Sequence, residues 1–177
     1  TALNAAVEDD ILDRNRIRSA PIEKPKRLTN FLTPNELNIF LHYAKKEKIS
    51  DYTLILLLAY TGMRSGEALG LHWSDIDFQE NTISIKRTRD VLGTRKTKTE
   101  NSVRTIKVDE LVFKQLKKYR TWCMQRKLEC GEQLEDDDYI FLNNDGSMYY
   151  YKELLSISIR SIYRNIKKDN IKMNTIT

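Results

Sequence analysis

The segment LLLAYTGMRSGEALGLHWSDID, residues 56–77, carries the clearest structural signals in the chain. It starts inside an apolar helix that ends at Gly62, because glycine suits the left-handed backbone position that follows a helix. A short helical segment is predicted from Ser65 to Leu71, and a turn from Ser74 to Asp77. Arg64 therefore stands in the bend between two helices, where a short rigid turn can aim its side chain.

Two helix starts are predicted upstream of this stretch. Thr33 can cap a helix, Pro34 suits its first position, and Glu36 stands three residues after the cap, which is the capping-box arrangement. The apolar helix that leads to Gly62 is predicted to start at Asp51. Both helices carry enough apolar residues to be packed into a core.

The N-terminal segment has a different character. Apolar residues recur at roughly helical spacing from Thr1 to about Ile17, which predicts the end of a helix. The sequence from Ser19 to Thr29 contains Pro21 and Pro25 among basic residues and shows no periodicity, which is typical of a linker. We therefore expect the main domain to begin at about residue 30.

The sequence after Asp77 predicts a small sheet followed by long helices. Ile83 and Ile85 alternate with polar residues and mark one strand, and the segment from Arg104 to Val108 alternates in the same way. Together they predict an antiparallel sheet of two or three strands. A long helix follows, and a last helix is predicted from Lys152 to Lys168. The apolar stripe of the first of these helices consists of Val112, Leu116, Tyr119 and Cys123. The predicted fold class is α+β and mainly helical.

Basic residues are concentrated in one segment. The chain has a net charge of +5, and residues 86–107 hold eight bases and two acids, which gives +6 there and −1 elsewhere. This concentration favours a polyanion partner, because bases near phosphates displace condensed counterions. A solvated surface is the other interpretation, and charge alone leaves both open. The bases are Lys86, Arg87, Arg89, Arg95, Lys96, Lys98, Arg104 and Lys107.

Several classes of site and location are disfavoured. Cys123 and Cys130 are far from both histidines and lack metal-ligand spacing, so we expect reduced thiols, no metal and no cofactor. The acids from Glu132 to Asp138 are bunched, which favours a solvated loop over a calcium site. No apolar run approaches the roughly 20 residues that span a bilayer, and the first residues carry no secretory signal. We expect a cytoplasmic protein.

The stretch TGMRSGEALGLHWSDID, residues 61–77, resembles the first conserved box of tyrosine recombinases of the phage integrase family. The family pattern is a buried helix, Thr-Gly-hydrophobic-Arg, a Glu three residues later, and Leu-x-Trp-x-Asp-Ile-Asp. KTENSVRTIKV, residues 98–108, resembles the family's basic hairpin. The resemblance covers nearly the whole chain and implies the tyrosine-recombinase catalytic-domain fold with a small antiparallel sheet. It further implies that residues 1–29 are the end of a core-binding-domain helix plus a linker, and residues 30–177 the N-terminal part of the catalytic domain.

The resemblance also assigns roles to individual residues. Arg64 matches the first catalytic arginine, which grips the non-bridging oxygens of the scissile phosphate with its planar, permanently charged fork. Glu67 matches an acidic position that supports the active site. Lys98 matches the hairpin lysine that acts as general acid toward the leaving 5′ oxygen, and Lys96, on the same strand face, is the second choice. The remaining residues expected to contact DNA are Lys86, Arg87, Arg89, Arg95, Lys96 and Arg104.

Two features depart from the family pattern. His72 stands where the family often has arginine and is expected to be a surface or phosphate-neighbour residue, while His42 is expected to be structural. The family's His-x-x-Arg box and nucleophilic tyrosine follow the last helix, at about the point where this chain stops, at Thr177. Tyr149 to Tyr151 precede that point and are expected to pack where the last helix begins.

The resemblance implies site-specific DNA recombination that integrates or excises a mobile element. In the parent enzyme a tyrosine would attack a DNA phosphate, giving a 3′-phosphotyrosyl link and a free 5′ hydroxyl, without metal or ATP. The parent is expected to form a tetramer on double-stranded DNA. This chain alone is expected to be a monomer that binds DNA and does not cleave it.

Two other classes of function remain open on the sequence. A non-catalytic DNA-binding module or degenerate integrase predicts the same basic hairpin without a downstream His-x-x-Arg and tyrosine. A helical interaction protein predicts no affinity for polyanions and no steep salt dependence of DNA binding.

Overall fold

The computed structural model describes residues 2–14, 31–90, 93–96, 103–143 and 152–173. These residues divide into two compact units, and the smaller one includes helix α1 (Ala2–Glu8). The helix predicted to reach about Ile17 is shorter than expected, because the chain turns after Glu8 and Asp10 adopts a left-handed backbone with φ 54°. The predicted linker from Ser19 to Thr29 lies outside the described residues.

Helices α2 (Pro34–Ala44) and α3 (Ile49–Thr61) open the larger unit. The predicted capping box is present, since Glu36 N donates to Thr33 Oγ1 over 3.3 Å and Thr33 N donates to Glu36 Oε2 over 2.8 Å. Helix α3 begins slightly earlier than predicted and is buried along most of its length. Gly62 follows it with φ 62°, the left-handed conformation that the sequence predicted.

The segment after Gly62 forms a short helix, a helical turn and a strand. Helix α4 (Ser65–Leu69) has the predicted start and ends two residues before Leu71. The turn predicted from Ser74 to Asp77 is instead a 3-10 turn at Trp73–Asp75 followed directly by strand β1 (Ile76–Asp77). The strand forms here because Ile76 pairs with a strand later in the chain, a long-range contact that local turn propensity does not reveal.

Two small antiparallel sheets are present in the described residues. The predicted sheet is confirmed as β1, β2 (Thr82–Ile85) and β5 (Arg104–Lys107), in the order β1-β2-β5 with Ile83 opposite Ile106. The second sheet is a hairpin of β3 (Arg87–Asp90) and β4 (Gly93–Lys96). The apolar pattern did not predict this hairpin, because its strands are polar on both faces.

Helices α5 (Glu110–Glu129) and α6 (Lys152–Lys168) follow, and α6 has the predicted bounds. The predicted stripe of α5 is buried, and the Tyr119 hydroxyl accepts the Leu142 N–H over 3.1 Å. Ser158 Oγ on α6 donates to the buried Asp51 Oδ2 over 2.5 Å, which joins α6 to α3. No helix in the described ranges has both the length and the apolar character that crossing a membrane requires.

The close approach of α4 to β3 places residues 61–77 against the β3–β4 hairpin. A Cβ atom built on Gly66 would stand 2.6 Å from Thr88 Oγ1 and 3.0 Å from the Arg89 carbonyl oxygen. A helix can reach the strand backbone this closely only where it carries no side chain. Gly66 therefore allows α4, with Arg64 at its N-terminus, to rest directly on β3.

Candidate functional site

The backbone of Arg64 is fixed by its neighbours, whereas its side chain is exposed. The left-handed Gly62 turns the chain after α3, and Met63 N donates to Thr61 Oγ1 over 3.3 Å. Arg64 then takes an extended conformation, φ −70° and ψ 147°, as the N-cap of α4. Its side chain is 84% exposed. The sequence thus produces a fixed backbone that presents a guanidinium to solvent, as the predicted bend required.

Glu67 lies directly behind this bend and is buried, with its side chain 3% exposed. Its Oε2 atom accepts the backbone N–H of Arg64 over 2.9 Å, and its Oε1 atom lies 3.4 Å from Arg64 Nη1. The carboxylate therefore fixes the backbone of Arg64 and makes only one long contact with its guanidinium. Glu67 thus contacts the turn of Arg64, and its supporting role in an active site stays a prediction.

Arg104, on β5, makes the strongest contact with the same carboxylate. Its Nη1 and Nη2 atoms donate to Glu67 Oε1 and Oε2 over 3.1 and 2.8 Å, which is a bidentate pair. The hydrogen bond from Arg104 is the main cause that holds the pKa of Glu67 below its ordinary value, and burial opposes it. Arg104 was predicted to contact DNA; the structure places its guanidinium against Glu67 and leaves its side chain 36% exposed, so the DNA contact stays a prediction.

A second buried carboxylate, Asp75, forms ion pairs with two further bases of residues 86–107. Its Oδ1 atom lies 3.0 Å from Lys86 Nζ, and its Oδ2 atom accepts from Arg87 Nη1 over 3.0 Å. The Oδ2 atom also accepts the backbone N–H of His72 over 3.0 Å. Asp75 thus fixes the start of the 3-10 turn against the junction of β2 and β3.

The β3–β4 hairpin carries the next two bases in different environments. Arg89 is 7% exposed, and its guanidinium lies 4.4 Å from the centre of the Tyr139 ring, so it packs inward. The Tyr139 hydroxyl is in turn 2.6 Å from Thr94 Oγ1 on β4. Arg95 is exposed and forms an ion pair with the exposed Asp90 at the end of the hairpin.

The two histidines differ in environment. His72 was expected to be a surface or phosphate-neighbour residue; it is half-buried, with its ring centre 4.3 Å from that of Tyr139, and a phosphate neighbour stays a prediction. Burial, and then the nearby Arg87 charge, lower the pKa of His72, which keeps it neutral at pH 7. His42 is exposed on α2.

The structure brings together some of the predicted site residues. Arg64, Glu67 and Arg104 form one connected cluster, and Lys86 and Arg87 form another around Asp75. Lys98 and Tyr149 to Tyr151 lie outside the described residues. Lys96 belongs to strand β4, and its side chain is outside the described set.

Sequence reasoning missed the roles of Asp75 and Tyr139. Asp75 was interpreted as part of a turn, and its partners Lys86 and Arg87 lie 11 and 12 positions later, so no local pattern indicated these ion pairs. For Tyr139, no local pattern in the sequence indicates that its ring meets both His72 and Arg89.

Comparison with known proteins identifies the family. Residues 30–175 match the family model described as the phage integrase family. The chain belongs to the phage integrase family of tyrosine recombinases. The predicted resemblance is therefore confirmed, and the cluster around Arg64 lies within the matched residues.

Two relatives within the recombinases show how much of such a protein this chain represents. It is 29% identical to the tyrosine recombinase XerC-like protein of Caldanaerobacter subterraneus subsp. tengcongensis, with 88% of this chain and 45% of the relative aligned. It is 28% identical to the ICEBs1 integrase of Bacillus subtilis, with 80% and 40% aligned. The chain therefore spans less than half the length of either relative.

The fold is also shared with a solved integrase. The structure of the Tn1549 transposon integrase in complex with transposon right-end DNA matches 97% of this chain and 57% of the solved integrase chain, with a TM-score of 0.69 and 21% identity. The predicted fold class is thereby confirmed: mainly helical α+β, with the small antiparallel sheet of a recombinase catalytic domain.

Proposed function

We propose that this chain is the first part of the catalytic domain of a tyrosine recombinase that performs site-specific DNA recombination. The reaction would integrate or excise a mobile element through a 3′-phosphotyrosyl intermediate. The observation that carries this proposal is Arg64, whose exposed guanidinium stands on a backbone fixed by a buried carboxylate. That arrangement suits recognition of a phosphate, because the guanidinium has no competing bidentate partner among the residues that the structure describes.

The roles of the site residues follow from this chemistry. The Arg64 fork would hold the two non-bridging oxygens of the scissile phosphate while a tyrosine hydroxyl attacks phosphorus. The bond from phosphorus to the 5′ oxygen breaks as the tyrosyl bond forms, and Lys98 would donate a proton to the leaving oxygen. Return of a 5′ hydroxyl from a partner strand reverses these steps, so the phosphodiester energy is conserved without ATP.

Duplex DNA is the proposed partner. Arg95 and Lys96 would contact the phosphate backbone, which positions the duplex without reading its sequence. Lys86 and Arg87 would add weaker contacts, because Asp75 already pairs with both. The DNA complex of the structurally similar Tn1549 integrase supports this choice of partner. We further propose that the whole recombinase assembles as a tetramer on two duplexes. Residues 1–29 would belong to its core-binding domain and linker.

The 177 residues contain no His-x-x-Arg sequence. We therefore propose that this chain, by itself a monomer, binds duplex DNA and does not cleave it. Incubation with a nicked suicide duplex, followed by denaturing electrophoresis, tests this. The expected result is no denaturant-resistant protein–DNA adduct, and any such adduct contradicts the proposal.

The phosphate-binding role of Arg64 is tested by fluorescence anisotropy with a labelled duplex at low salt. Arg64→Ala is expected to weaken binding by about tenfold, the loss of one charge-assisted contact. Arg160→Ala removes the same charge from an exposed position on α6 and serves as the matched control. Equal affinities for the two variants would contradict the assignment.

A further inference from the structure

We propose that Arg104 is a positioning residue: by occupying both oxygens of Glu67 it keeps the guanidinium of Arg64 available for a DNA phosphate. This inference rests on the proposed phosphate-binding role of Arg64. It gives Arg104 a role different from the direct DNA contact that its place in the basic segment suggested.

The two arginines share one carboxylate unequally. Arg104 uses its planar fork, with contacts of 3.1 and 2.8 Å to the two oxygens of Glu67. The guanidinium of Arg64 has one contact with Glu67, of 3.4 Å, and the stronger bond from Arg64 to Glu67 comes from its backbone N–H at 2.9 Å. Arg104 therefore already occupies both oxygens of Glu67 in the bidentate geometry that a guanidinium prefers with a carboxylate.

Removal of Arg104 would redirect Glu67 toward Arg64. The Glu67 side chain is 3% exposed, and a buried carboxylate that loses its partner carries a large desolvation cost. Arg64 already stands within contact distance and belongs to the same helix start, so its guanidinium can close onto both oxygens with little rearrangement. A DNA phosphate would then have to displace an intramolecular carboxylate from Arg64, and its affinity would fall.

The alternative, a direct contact between Arg104 and DNA, is physically reasonable because the Arg104 side chain is 36% exposed. The two readings differ in how Arg104 depends on Arg64. If Arg104 acts through Arg64, its loss has no further effect once Arg64 is gone. If Arg104 touches DNA itself, the two losses multiply.

The first test is therefore a double-mutant cycle in duplex binding, measured by anisotropy on samples whose circular dichroism shows them folded. Arg104→Gln is expected to weaken binding by about threefold to tenfold, and Arg64→Ala/Arg104→Gln is expected to match Arg64→Ala within about twofold. Arg104→Lys keeps the charge but loses the fork, so we expect it to weaken binding as well. Multiplying effects in the double variant, or wild-type affinity in Arg104→Lys, would overturn the inference.

The second test needs no DNA and separates this inference from the proposed function. In ¹H–¹⁵N spectra, the Arg64 Nε–Hε signal, assigned with Arg64→Ala, is expected to shift and exchange more slowly with water in Arg104→Lys and Arg104→Gln. Replacing the carboxylate as well, in Glu67→Gln/Arg104→Gln, is expected to return it to rapid exchange. If the shift and the water exchange of the Arg64 Nε–Hε signal are unchanged in both Arg104 variants, the positioning role is refuted. The DNA-binding proposal would not be affected by that result.

Discussion

Asp75 Oδ2 lies 3.0 Å from Arg87 Nη1, and the same carboxylate lies 3.0 Å from Lys86 Nζ through its other oxygen. The acid is buried and belongs to the 3-10 turn, whereas both bases belong to the segment with the highest positive charge in the sequence. Part of that segment's charge is thus neutralised inside the protein. The same holds for Arg104, whose partner Glu67 also lies outside residues 86–107.

Asp75→Asn is therefore expected to reduce stability by about 2–4 kcal/mol, because it removes a buried partner from two bases and weakens the cap on His72 N. The effect should lie below the upper end of that range because Lys86 is half exposed. Urea unfolding measures it. Asp136→Asn breaks an exposed Asp–Arg pair with Arg120 and is the matched control, with an expected cost below about 1 kcal/mol. Similar costs for the two variants would show that Asp75 is not a structural anchor.

Gly66→Ala is expected to destabilise the larger unit by about 1–3 kcal/mol, since its new Cβ would stand 2.6 Å from Thr88 Oγ1 and 3.0 Å from the Arg89 carbonyl oxygen. Thr88→Ala in the same chain removes the nearer obstacle but leaves the backbone oxygen. We therefore expect Gly66→Ala/Thr88→Ala to recover only part of the loss relative to Thr88→Ala alone. Wild-type stability in Gly66→Ala would mean that α4 and β3 are not in close contact.

The sequence predicted those parts of the fold whose cause is local. Thr33 and Glu36 are close enough in the chain to form the capping box. Helix α3 ends at Gly62 because glycine adopts the left-handed backbone conformation without strain. The β3–β4 hairpin was missed because Arg87–Asp90 and Gly93–Lys96 contain no apolar alternation. Its strands are fixed instead by packing, as when Arg89 stacks on Tyr139.

The candidate site was predictable in its residues but not in its pairings. Arg64 and Glu67 are three residues apart, so their contact could be anticipated. Glu67 and Arg104 are 37 positions apart, and only the placement of β5 beside β2 brings them together. A charge count along the sequence treats each base as independent and therefore overestimates the number available to a phosphate backbone.

The pH dependence of stability should report the pair between Glu67 and Arg104. The folded pKa of Glu67 is lowered, first by the Arg104 hydrogen bond, from an ordinary value of 4.5. A lowered acid pKa contributes stability above the unfolded value, and that contribution is lost as pH falls through the folded value. The stability difference between wild type and Arg104→Gln should therefore be largest near neutral pH and should narrow from about pH 5 toward about pH 3 in urea titrations. A difference that stays constant across this range would mean that the pair does not depend on an ionised Glu67.

The salt dependence of DNA binding should separate exposed bases from buried ones. Arg95 is exposed beside an exposed acid that a phosphate can replace, so Arg95→Ala should weaken binding and reduce the slope of log K against log salt by about one. Arg89 is buried against Tyr139, so Arg89→Ala should lower stability and leave the slope nearly unchanged. The reverse pattern would require the hairpin to present Arg89 to DNA.

The reactivity of the two cysteines tests the packing of α5 without any DNA. Burial raises the pKa of Cys123 to about 12, and its Sγ atom lies 3.7 Å from the Ile140 carbonyl oxygen, whereas Cys130 is exposed at the end of the helix. At pH 8 only roughly one Cys123 thiol in ten thousand would be ionised, and the thiolate is the reactive form. Ellman's reagent should therefore modify Cys130 quickly and Cys123 only on unfolding.

Cys130→Ser should abolish the fast phase of this reaction, and Cys123→Ser should retain it. The slow phase of wild type should accelerate with urea in step with the loss of circular dichroism, because Cys123 becomes accessible only when α5 separates from the core. Two thiols that react at the same rate in native buffer would place Cys123 at the surface. The apolar stripe of α5 would then face away from the core that positions β2 and residues 61–77.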